Sequence, residues 1–216
     1  MRITVFGATG GVGREVVHQA LDAGHEVTAV VRDPARLPVA GHERLRVATV
    51  ADVTDADALG PVLHGQDAVV CALGAHSNKQ ARLAPVAGPA LGAIVSAMDR
   101  AGVRRLSAVS AAPLGPDHED DGAFTRAVFM PLLRRALRDV YADLAVMEAV
   151  IGASGTQWTV IRPPKLLDSP RTGTYRRAVD ANVPRGRSIG RADVADALLS
   201  ALTDPTTTGH TLGVAT

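Results

Sequence analysis

The chain has 216 residues, of which 46% are hydrophobic and 21% charged, a composition typical of a folded globular protein that argues against intrinsic disorder. Its 23 basic and 22 acidic residues give a formal net charge of +1, whereas a general nucleic-acid binder or a binder of anionic membranes would carry a basic excess. The single cysteine, Cys71, excludes an intramolecular disulfide framework and a zinc site built on several thiolates.

Short runs rich in Val, Ile and Ala alternate along the chain with longer segments of helical periodicity. The short runs predict strands at Ile3–Phe6, Glu26–Val31, Leu45–Val50, Asp67–Leu73, Arg105–Ser110, Gln157–Ile161 and His210–Val214. The longer segments predict helices at Gly13–Ala23, Asp55–Leu63, Ala84–Ala101, Phe124–Arg138, Tyr141–Ser154 and Arg191–Leu202. No apolar run approaches the roughly 20 residues that a membrane-crossing helix needs, and we find no signal peptide.

Strands that alternate with helices of this length need crossover connections, which favour a parallel sheet with helices on both faces. We therefore predict an α/β fold with a doubly wound parallel sheet in three layers, forming a single domain over residues 1–216. The least regular stretches, Ala112–Gly122 and Pro163–Ile189, both follow strands, where this architecture builds its ligand crevice. We interpret the acidic run Asp117–Asp121 as a solvated loop tip, and we expect no metal site.

A glycine cluster, Gly7-Ala8-Thr9-Gly10-Gly11-Val12-Gly13, lies between the first strand and the first helix. Gly7 permits a tight turn, Gly10 lets the backbone approach a pyrophosphate, and Gly13 lets the helix pack closely on the sheet. The amides at the helix N-terminus then face the phosphates. A glycine-rich turn without a ligand is the alternative, but the strand–turn–helix context favours dinucleotide binding.

The end of the second predicted strand bears on the choice between NAD and NADP. Arg32 follows Val31, and a guanidinium at this point forms charge-assisted hydrogen bonds with a 2′-phosphate. Arg36, about one helical turn further on, could add a second contact. Asp33 could instead accept a hydrogen bond from a ribose hydroxyl. A third possibility is that Arg32 and Asp33 form an exposed pair that contacts no ligand. We favour NADPH.

Two further positions fit the path of a dinucleotide cofactor. Asp52 and Val53 follow the third strand, where the carboxylate could accept from the adenine amino group or could simply cap a turn. Leu73 and Gly74 follow the fourth strand, where they could admit the central part of the cofactor or form a plain turn.

The glycine cluster, Val31-Arg32-Asp33, Ala51-Asp52-Val53 and Ala72-Leu73-Gly74 together resemble the NAD(P)H-binding proteins, an atypical group of short-chain dehydrogenases/reductases that includes flavin and biliverdin reductases. The resemblance covers almost the whole chain, although the C-terminal half is similar mainly in its fold. It implies a Rossmann-like domain that uses NADPH to reduce flavins or related planar acceptors.

The resemblance also implies roles for individual residues. The pyrophosphate would be held by Gly7, Thr9, Gly10, Gly11, Val12 and Gly13, the 2′-phosphate by Arg32, and the adenine by Asp52 and Val53. Leu73 and Gly74 would contact the middle of the cofactor, and Pro163 and Pro164 would flank the nicotinamide. Ser110 matches the active-site serine of the family, although a serine bonding locally at a strand end is the alternative.

The substrate side of the site is less clearly marked in the sequence. His76 could supply a proton or be an ordinary surface group, and Lys165 could pair with an anionic substrate or be a solvated loop residue. Phe124 is one of the few aromatic residues late in the chain that could stack on a flat acceptor. Around Lys165 and His76 the sequence differs from the mammalian members of the family. These differences affect the prediction of the acceptor more than the prediction of the cofactor.

The acid–base pair of most short-chain dehydrogenases is missing from the sequence. That pair is Tyr-x-x-x-Lys on one helix face, where the lysine lowers the tyrosine pKa. Tyr141 is followed four residues later by Ala145, and Tyr175 by Val179. Flavin reduction needs no such pair, because hydride passes directly from the nicotinamide and a proton can come from water.

Three hypotheses follow for the function. The first is an NADPH-dependent reductase acting on a flavin, quinone or tetrapyrrole-like small molecule. The second is a non-catalytic NADP(H)-binding redox sensor or regulatory protein, and the third is a nucleotide-sugar epimerase or dehydratase. We expect a cytoplasmic monomer or homodimer that binds neither nucleic acid nor membranes.

Overall fold

A central eight-stranded sheet organises the computed structural model, which describes residues 1–37, 41–75, 77–116, 120, 122, 127–128 and 130–216. Its strands are β1 (Arg2–Phe6), β2 (Glu26–Val31), β3 (Leu45–Thr49), β4 (Ala68–Cys71), β5 (Arg105–Val109), β6 (Gln157–Arg162), β8 (Arg176–Val179) and β10 (His210–Ala215). A separate two-stranded sheet pairs β7 (Lys165–Leu167) with β9 (Ser188–Gly190).

The strand order of the large sheet is β3-β2-β1-β4-β5-β6-β10-β8. Every neighbouring pair is parallel except β10 and β8, which run antiparallel at one edge. Strands β2 and β3 are added on one side of β1, and β4, β5 and β6 are then added on its other side. The strand order therefore reverses between β1 and β4, which is where ligands bind in doubly wound sheets.

The helices of the described chain are α1 (Gly11–Asp22), α2 (Ala56–Leu63), α3 (Asn78–Leu83), α4 (Ala87–Ala101), α5 (Met130–Ala136), α6 (Arg138–Gly152) and α7 (Arg191–Thr203). One apolar core lies between the sheet and helices α1 and α7. The other lies between the sheet and helices α2, α4 and α6. Successive residues of β1 alternate between them, with Val5 in the first core and Phe6 in the second. The predicted three-layer Rossmann-like α/β domain is thus confirmed.

The sequence correctly predicted the elements that carry strong periodicity, with Glu26–Val31 matching β2 in full. Helix α1 begins at Gly11 rather than at Gly13, because the glycines already adopt helical geometry in the first turn. The fourth predicted strand is shorter than expected, and helix α3 occupies Asn78–Leu83, for which the sequence analysis predicted no element.

The stretch Pro163–Ile189 was predicted to be irregular, but it contains strands β7, β8 and β9. These strands have only three or four residues, which is too short for an apolar run to mark them in the sequence. Strands β7 and β8 are also largely exposed, whereas Ile189 and Gly190 of β9 are buried. Tertiary pairing with β10 and within the small sheet forms them. Of the predicted helix Phe124–Arg138, residues 124–126 and 129 lie outside the described residues, and α5 occupies the part that follows.

Buried carboxylates connect the helices on the second face of the sheet. The side chain of Asp143, on α6, is only 5% exposed and accepts hydrogen bonds from the backbone amides of Val86, Ala87 and Gly88 at 2.9–3.0 Å. These amides open helix α4, which has no cap from its own neighbouring residues. Asp143 therefore supplies from a different helix the negative charge that a helix N-terminus attracts.

Cys71 lies fully buried in β4, as expected of a core residue. Burial raises the pKa of its thiol to about 12, against a weaker opposing effect of a hydrogen bond with the Leu73 backbone. We predict that N-ethylmaleimide leaves the native protein unmodified at about pH 8, because the reactive thiolate is not populated. Unfolding in guanidinium chloride should expose one reactive thiol per chain. Rapid labelling of the native protein would contradict this prediction.

Candidate functional site

The carboxyl ends of seven parallel strands lie side by side along one edge of the sheet. The register pairs Phe6 with both Val30 and Cys71, and Cys71 with Ala108. Consequently the segments that follow these strands, including the glycine cluster and Ser110, meet along this edge. No helix of the described chain has the length and apolar character needed to span a membrane.

Gly7 turns the chain directly after β1 with a φ of 77°, a conformation that L side chains rarely adopt. A Cβ at this position would lie 2.4 Å from the carbonyl oxygen of Ala72 and 3.0 Å from the amide nitrogen of Leu73. The turn therefore lies against the segment after β4, and only glycine allows this approach. The role predicted for Gly7, a tight turn off the first strand, is confirmed.

Gly13 packs against the same turn from the first turn of α1. A Cβ on Gly13 would lie 2.1 Å from the Gly7 carbonyl oxygen and 3.1 Å from Ala8 Cα. The prediction of close packing at this glycine is confirmed, although the contact is with the turn rather than with the sheet. At Gly10, by contrast, a Cβ would meet only the Gly7 carbonyl oxygen, at 3.2 Å. The space beside Gly10 is open enough for a phosphate to approach the backbone.

Helix α1 presents an uncapped N-terminus to this space. Gly10 occupies the N-cap position without a side-chain hydrogen bond to the helix, and the first turn contains no acidic residue. Thr9 is half-buried, and its hydroxyl makes no hydrogen bond with any residue that the structure describes. Val12 is 7% exposed and packs in the core, so only its backbone amide could reach a ligand. This arrangement suits an anion.

Two arginines follow β2 at the same edge of the sheet. Arg32 and Arg36 are exposed, and neither guanidinium has a hydrogen bond or ion pair within the described chain. Asp33 caps the short 3-10 turn Pro34–Arg36, accepting a hydrogen bond from the Ala35 amide at 3.0 Å. The carboxylate thus has a structural role, whereas both arginines are available to an anionic ligand.

Asp52 forms a local turn after β3. The hydroxyl of Thr54 and its backbone amide donate to Asp52 Oδ1 at 2.7 and 2.8 Å, and they hold the pKa of that carboxyl below its usual value. The turn alternative for Asp52 is therefore realised, while its adenine contact stays a prediction. Val53 is half-buried against the second apolar core.

The segments after β4 and β6 complete the edge. Leu73 is half-buried, and Gly74 is exposed with open space where a Cβ would lie. Pro163 is buried and accepts a hydrogen bond through its carbonyl from the Ala112 amide at 2.9 Å, while Pro164 is half-buried. The fold brings these residues to the carboxyl edge, and their contacts with a cofactor stay predictions.

Ser110 follows the last residue of β5 and is only 8% exposed. Its amide donates to the Ile161 carbonyl at 2.8 Å, but its hydroxyl oxygen is buried without a hydrogen-bond partner among the described residues. A buried hydroxyl normally finds a partner, since leaving it unsatisfied is costly. The local hydrogen bond considered as an alternative is therefore not found among the described residues, and a contact of the hydroxyl with a ligand stays a prediction.

The surroundings of both tyrosines raise the pKa of the phenol. Tyr141 is half-buried against the second core, and this burial raises the pKa of its phenol. Burial also raises the pKa of Tyr175, whose hydroxyl donates a hydrogen bond to Asp196 at 2.8 Å. Alcohol–ketone chemistry uses a tyrosine of lowered pKa, so the environment of both tyrosines disfavours it.

The three predicted substrate residues are only partly covered by the structure. Lys165 is exposed at the start of β7, opposite Ser188 of β9. His76 and Phe124 lie outside the described residues. No cluster of three or more metal-ligating side chains occurs in the part of the chain that is described.

Arg191 is a residue of the site that the sequence analysis missed. It begins helix α7, yet its side chain lies over the glycine cluster, since a Cβ on Gly11 would be 2.7 Å from Arg191 Cδ and 2.8 Å from its Nε. Arg191 Nη1 contacts Asp168 Oδ1 at 2.6 Å. No sequence signal identifies this contact, because it joins opposite ends of the chain.

A surface pocket of about 350 Å³ lies away from this edge, beside Val103 and Arg104, which precede β5. It contains none of the residues predicted to bind a cofactor. Its position at the amino end of β5 is opposite to the edge where doubly wound sheets bind ligands, so we assign it no role in the site.

Comparisons with known proteins agree with this geometry. The family described as NAD(P)H-binding matches residues 7–205 of the chain. Uncharacterized protein YwnB of Bacillus subtilis (strain 168) is 30% identical over 213 residues, or 95% of this chain and 93% of the relative. From the same organism, Uncharacterized sugar epimerase YhfK is 28% identical over 215 residues, or 96% of this chain and 90% of the relative.

Solved structures show the same fold. A short-chain dehydrogenase/reductase (wide type) from Veillonella parvula DSM 2008, in complex with NADP, has a TM-score of 0.81 at 20% identity, covering 100% of this chain and 94% of that one. SP1627 from Streptococcus pneumoniae TIGR4, described as a "putative NADH-flavin reductase", has a TM-score of 0.76 at 21% identity, covering 100% and 99%. The architecture of this chain is therefore the Rossmann fold that these structures share.

Proposed function

The chain belongs to the NAD(P)H-binding family, and on that premise we propose that it is an NADPH-dependent reductase that transfers hydride to a flavin, a quinone or a tetrapyrrole-like acceptor. The observation that carries the proposal is an uncapped helix N-terminus at the switch point of the sheet, together with two arginines after the neighbouring strand β2 that have no partner among the described residues. The helix amides suit a diphosphate, and the arginines suit a further phosphate on the adenosine.

The choice of NADPH rests on the different situations of Arg32 and Asp33. A carboxylate after the second strand accepts the ribose hydroxyls of NADH, whereas an arginine there pairs with the 2′-phosphate of NADPH. Asp33 already caps a turn, and Arg32 has no partner within the described residues. This difference supports NADPH as the cofactor.

The proposed chemistry is direct hydride transfer without a protein acid. When bound, the cofactor supplies the hydride. Ser110 Oγ lacks a partner among the described residues, and we expect it to orient the nicotinamide amide or the acceptor by a hydrogen bond. Burial raises the pKa of Tyr141 and of Tyr175, which disfavours both as proton-transfer groups. We propose that water supplies the proton to the reduced acceptor.

The test is oxidation of NADPH, followed by its absorbance, in the presence of FMN, FAD, a quinone or biliverdin. Turnover above the uncatalysed rate with at least one acceptor is expected. Ser110→Ala should lower kcat while leaving the affinity for NADPH unchanged, because the side chain acts on orientation. Tight NADPH binding without turnover on any acceptor would favour the redox-sensor hypothesis instead.

An epimerase acting on a nucleotide-linked sugar is a second candidate, because one relative carries the name of a sugar epimerase. Such chemistry relies on a tyrosine and a lysine on one helix face. Position 145 of this chain is alanine, and burial raises the Tyr141 pKa. These two observations favour the reductase, and epimerisation of a nucleotide sugar by the purified protein would reverse that preference.

We predict that Arg32→Ala weakens NADPH binding much more than NADH binding. Loss of one charge-assisted hydrogen bond costs about 1.5–3 kcal/mol, or about 10- to 150-fold in affinity. Calorimetric titration of both nucleotides would measure the difference. Arg100→Ala is a matched control, because Arg100 is exposed and pairs with Asp57 rather than with a ligand. Equal losses for NADPH and NADH would show that Arg32 does not contact the 2′-phosphate.

A further inference from the structure

Arg191 brings a positive charge to the glycine cluster from the far end of the chain. Its Nε would lie 2.8 Å, and its guanidinium carbon 3.8 Å, from a Cβ on Gly11. Gly11 is the first residue of α1, so the guanidinium lies beside the uncapped N-terminus of that helix. The absence of a side chain at position 11 creates the space that Arg191 occupies.

The placement of Arg191 is fixed by the packing of α7 on α1. Gln19, on α1, donates from its side-chain amide to the Ala192 carbonyl at 2.8 Å. This hydrogen bond holds the first turn of α7 beside the first helix. The contact between α1 and α7 therefore places Arg191 at the glycine cluster. Because this contact does not use the Arg191 side chain, the guanidinium can bind a ligand without separating the two helices.

The segment that carries Asp168 is also fixed to α7. Asp193 is 1% exposed and accepts hydrogen bonds from the amides of Thr172 and Gly173 and from the Thr172 hydroxyl, all at 2.8–2.9 Å. The Ser169 hydroxyl lies against Gly190, where a Cβ would be 2.4 Å away. These contacts bring Asp168 within 2.6 Å of Arg191.

The ion pair between Arg191 and Asp168 is easily exchanged. The Asp168 side chain is 91% exposed and that of Arg191 is 30% exposed. Exposed ion pairs contribute little to stability because water screens them. A dianionic diphosphate at an uncapped helix N-terminus would be a stronger partner for the same guanidinium.

We propose that Arg191 binds the diphosphate bridge of the nicotinamide dinucleotide, and that Asp168 holds this arginine only while the site is empty. The inference rests on the proposed function, because it assumes that the glycine cluster binds a dinucleotide. It adds a cation whose contact is common to NADPH and NADH, in contrast to Arg32. Asp168 then acts as a competitor of the ligand, because its carboxylate must release the guanidinium.

The test measures the dissociation constants of NADPH and NADH by calorimetry for three variants of the full chain. Arg191→Met should weaken both nucleotides by a similar factor of about 10–100, since both carry the diphosphate. Arg191→Lys should recover part of the loss. Asp168→Asn should strengthen binding of both nucleotides by a few-fold, because the competing charge is removed.

The control is Arg2→Met, which removes an exposed arginine from another Arg–Asp pair, with Asp67, at the amino end of β1. It should leave both dissociation constants unchanged, and circular dichroism and thermal unfolding would verify that each variant is folded. The proposal is overturned if folded Arg191→Met binds both nucleotides as the parent does, or if Asp168→Asn binds them no more tightly. If the parent itself binds neither nucleotide, the proposed function fails and not merely the role of Arg191.

Discussion

Replacement of Gly13 by alanine is expected to remove most of the affinity for both NADPH and NADH. The added Cβ would lie 2.1 Å from the Gly7 carbonyl oxygen and 2.7 Å from the Gly7 carbonyl carbon. Both are backbone atoms, so the turn or the helix must shift and the amides of the glycine cluster move with them. Loss of a single charge-assisted contact already costs about 10- to 150-fold in affinity.

The same substitution should also destabilise the fold. Overpacking in a dense region costs about 1–3 kcal/mol, and the turn at Gly7 is already confined by its contact with Ala72. Calorimetric titration would measure the affinity, and denaturant unfolding would measure the free energy of unfolding. We expect both to fall.

Gly92→Ala is the matched control for Gly13→Ala, because it makes the same change in the interior of another helix. Gly92 lies in α4, and no atom would be within 4 Å of its added Cβ. Alanine exceeds glycine in helix propensity by about 1 kcal/mol, so this variant should be slightly stabilised and should bind NADPH normally. Normal binding by the Gly13 variant would show that the turn does not depend on this glycine.

Replacement of Arg105 by methionine is expected to lower the free energy of unfolding by about 2–4 kcal/mol without altering the binding site. Arg105 is 8% exposed at the amino end of β5, and burial lowers the pKa of its guanidinium. No carboxylate among the described residues accepts a hydrogen bond from it. Its donors instead bind carbonyl and hydroxyl oxygens of Gln157, Thr159, Ala201, Leu202 and Thr207.

The cost arises because these acceptors lose their donors. The carbonyls of Ala201 and Leu202 belong to the last turn of α7, where helix carbonyls run short of amide donors. The Ala201 carbonyl also accepts a long hydrogen bond from the Asp204 amide at 3.3 Å, and the Leu202 carbonyl accepts from Arg105 Nε at 3.3 Å. Methionine fills part of the volume but donates no hydrogen bond. The two threonines retain a hydrogen bond between Thr159 Oγ1 and the Thr207 carbonyl at 2.8 Å, so the loss should fall mainly on the helix end.

Thermal or denaturant unfolding of Arg105→Met would measure this effect, with Arg100→Met as the control. The Arg100 side chain is 50% exposed, and its partner Asp57 is 87% exposed, so its removal should change the free energy of unfolding by less than about 1 kcal/mol. NADPH affinity should be unchanged in both variants. Equal stability of the two variants would mean that Arg105 contributes no more than a surface arginine.

The sequence predicted the layered fold because its signals are local. Val27, Ala29 and Val31 mark a strand by their apolar character, and the glycines after β1 mark a turn by their conformational freedom. Strands β7 to β9 could not be predicted in this way. They are short, β7 and β8 are largely exposed, and β8 forms by pairing with β10.

The candidate site, like the fold, could be predicted only where local sequence signals mark it. Residues that directly follow predicted strands, such as Arg32 and Ser110, were found because the ends of parallel strands must meet at one edge. Two features could not be predicted from the sequence: the lack of a partner for the Ser110 hydroxyl among the described residues, and the capping role of Asp33. Both depend on which polar atoms lie nearby in the folded chain. Asp143 shows the same limit, since its three backbone partners lie on a different helix.

Local sequence signals were sufficient for the order of strands and helices, the glycine turn after the first strand, and the absence of a lysine four residues after either tyrosine. These features depend on residues close to one another in the chain. The charges around the turn, by contrast, are set by packing between distant parts of the chain. Arg191 reaches Gly11 because α7 packs on α1, and Asp168 reaches Arg191 because buried Asp193 holds the intervening segment. Electrostatic interactions depend on distance in space, and the folded chain alone sets those distances.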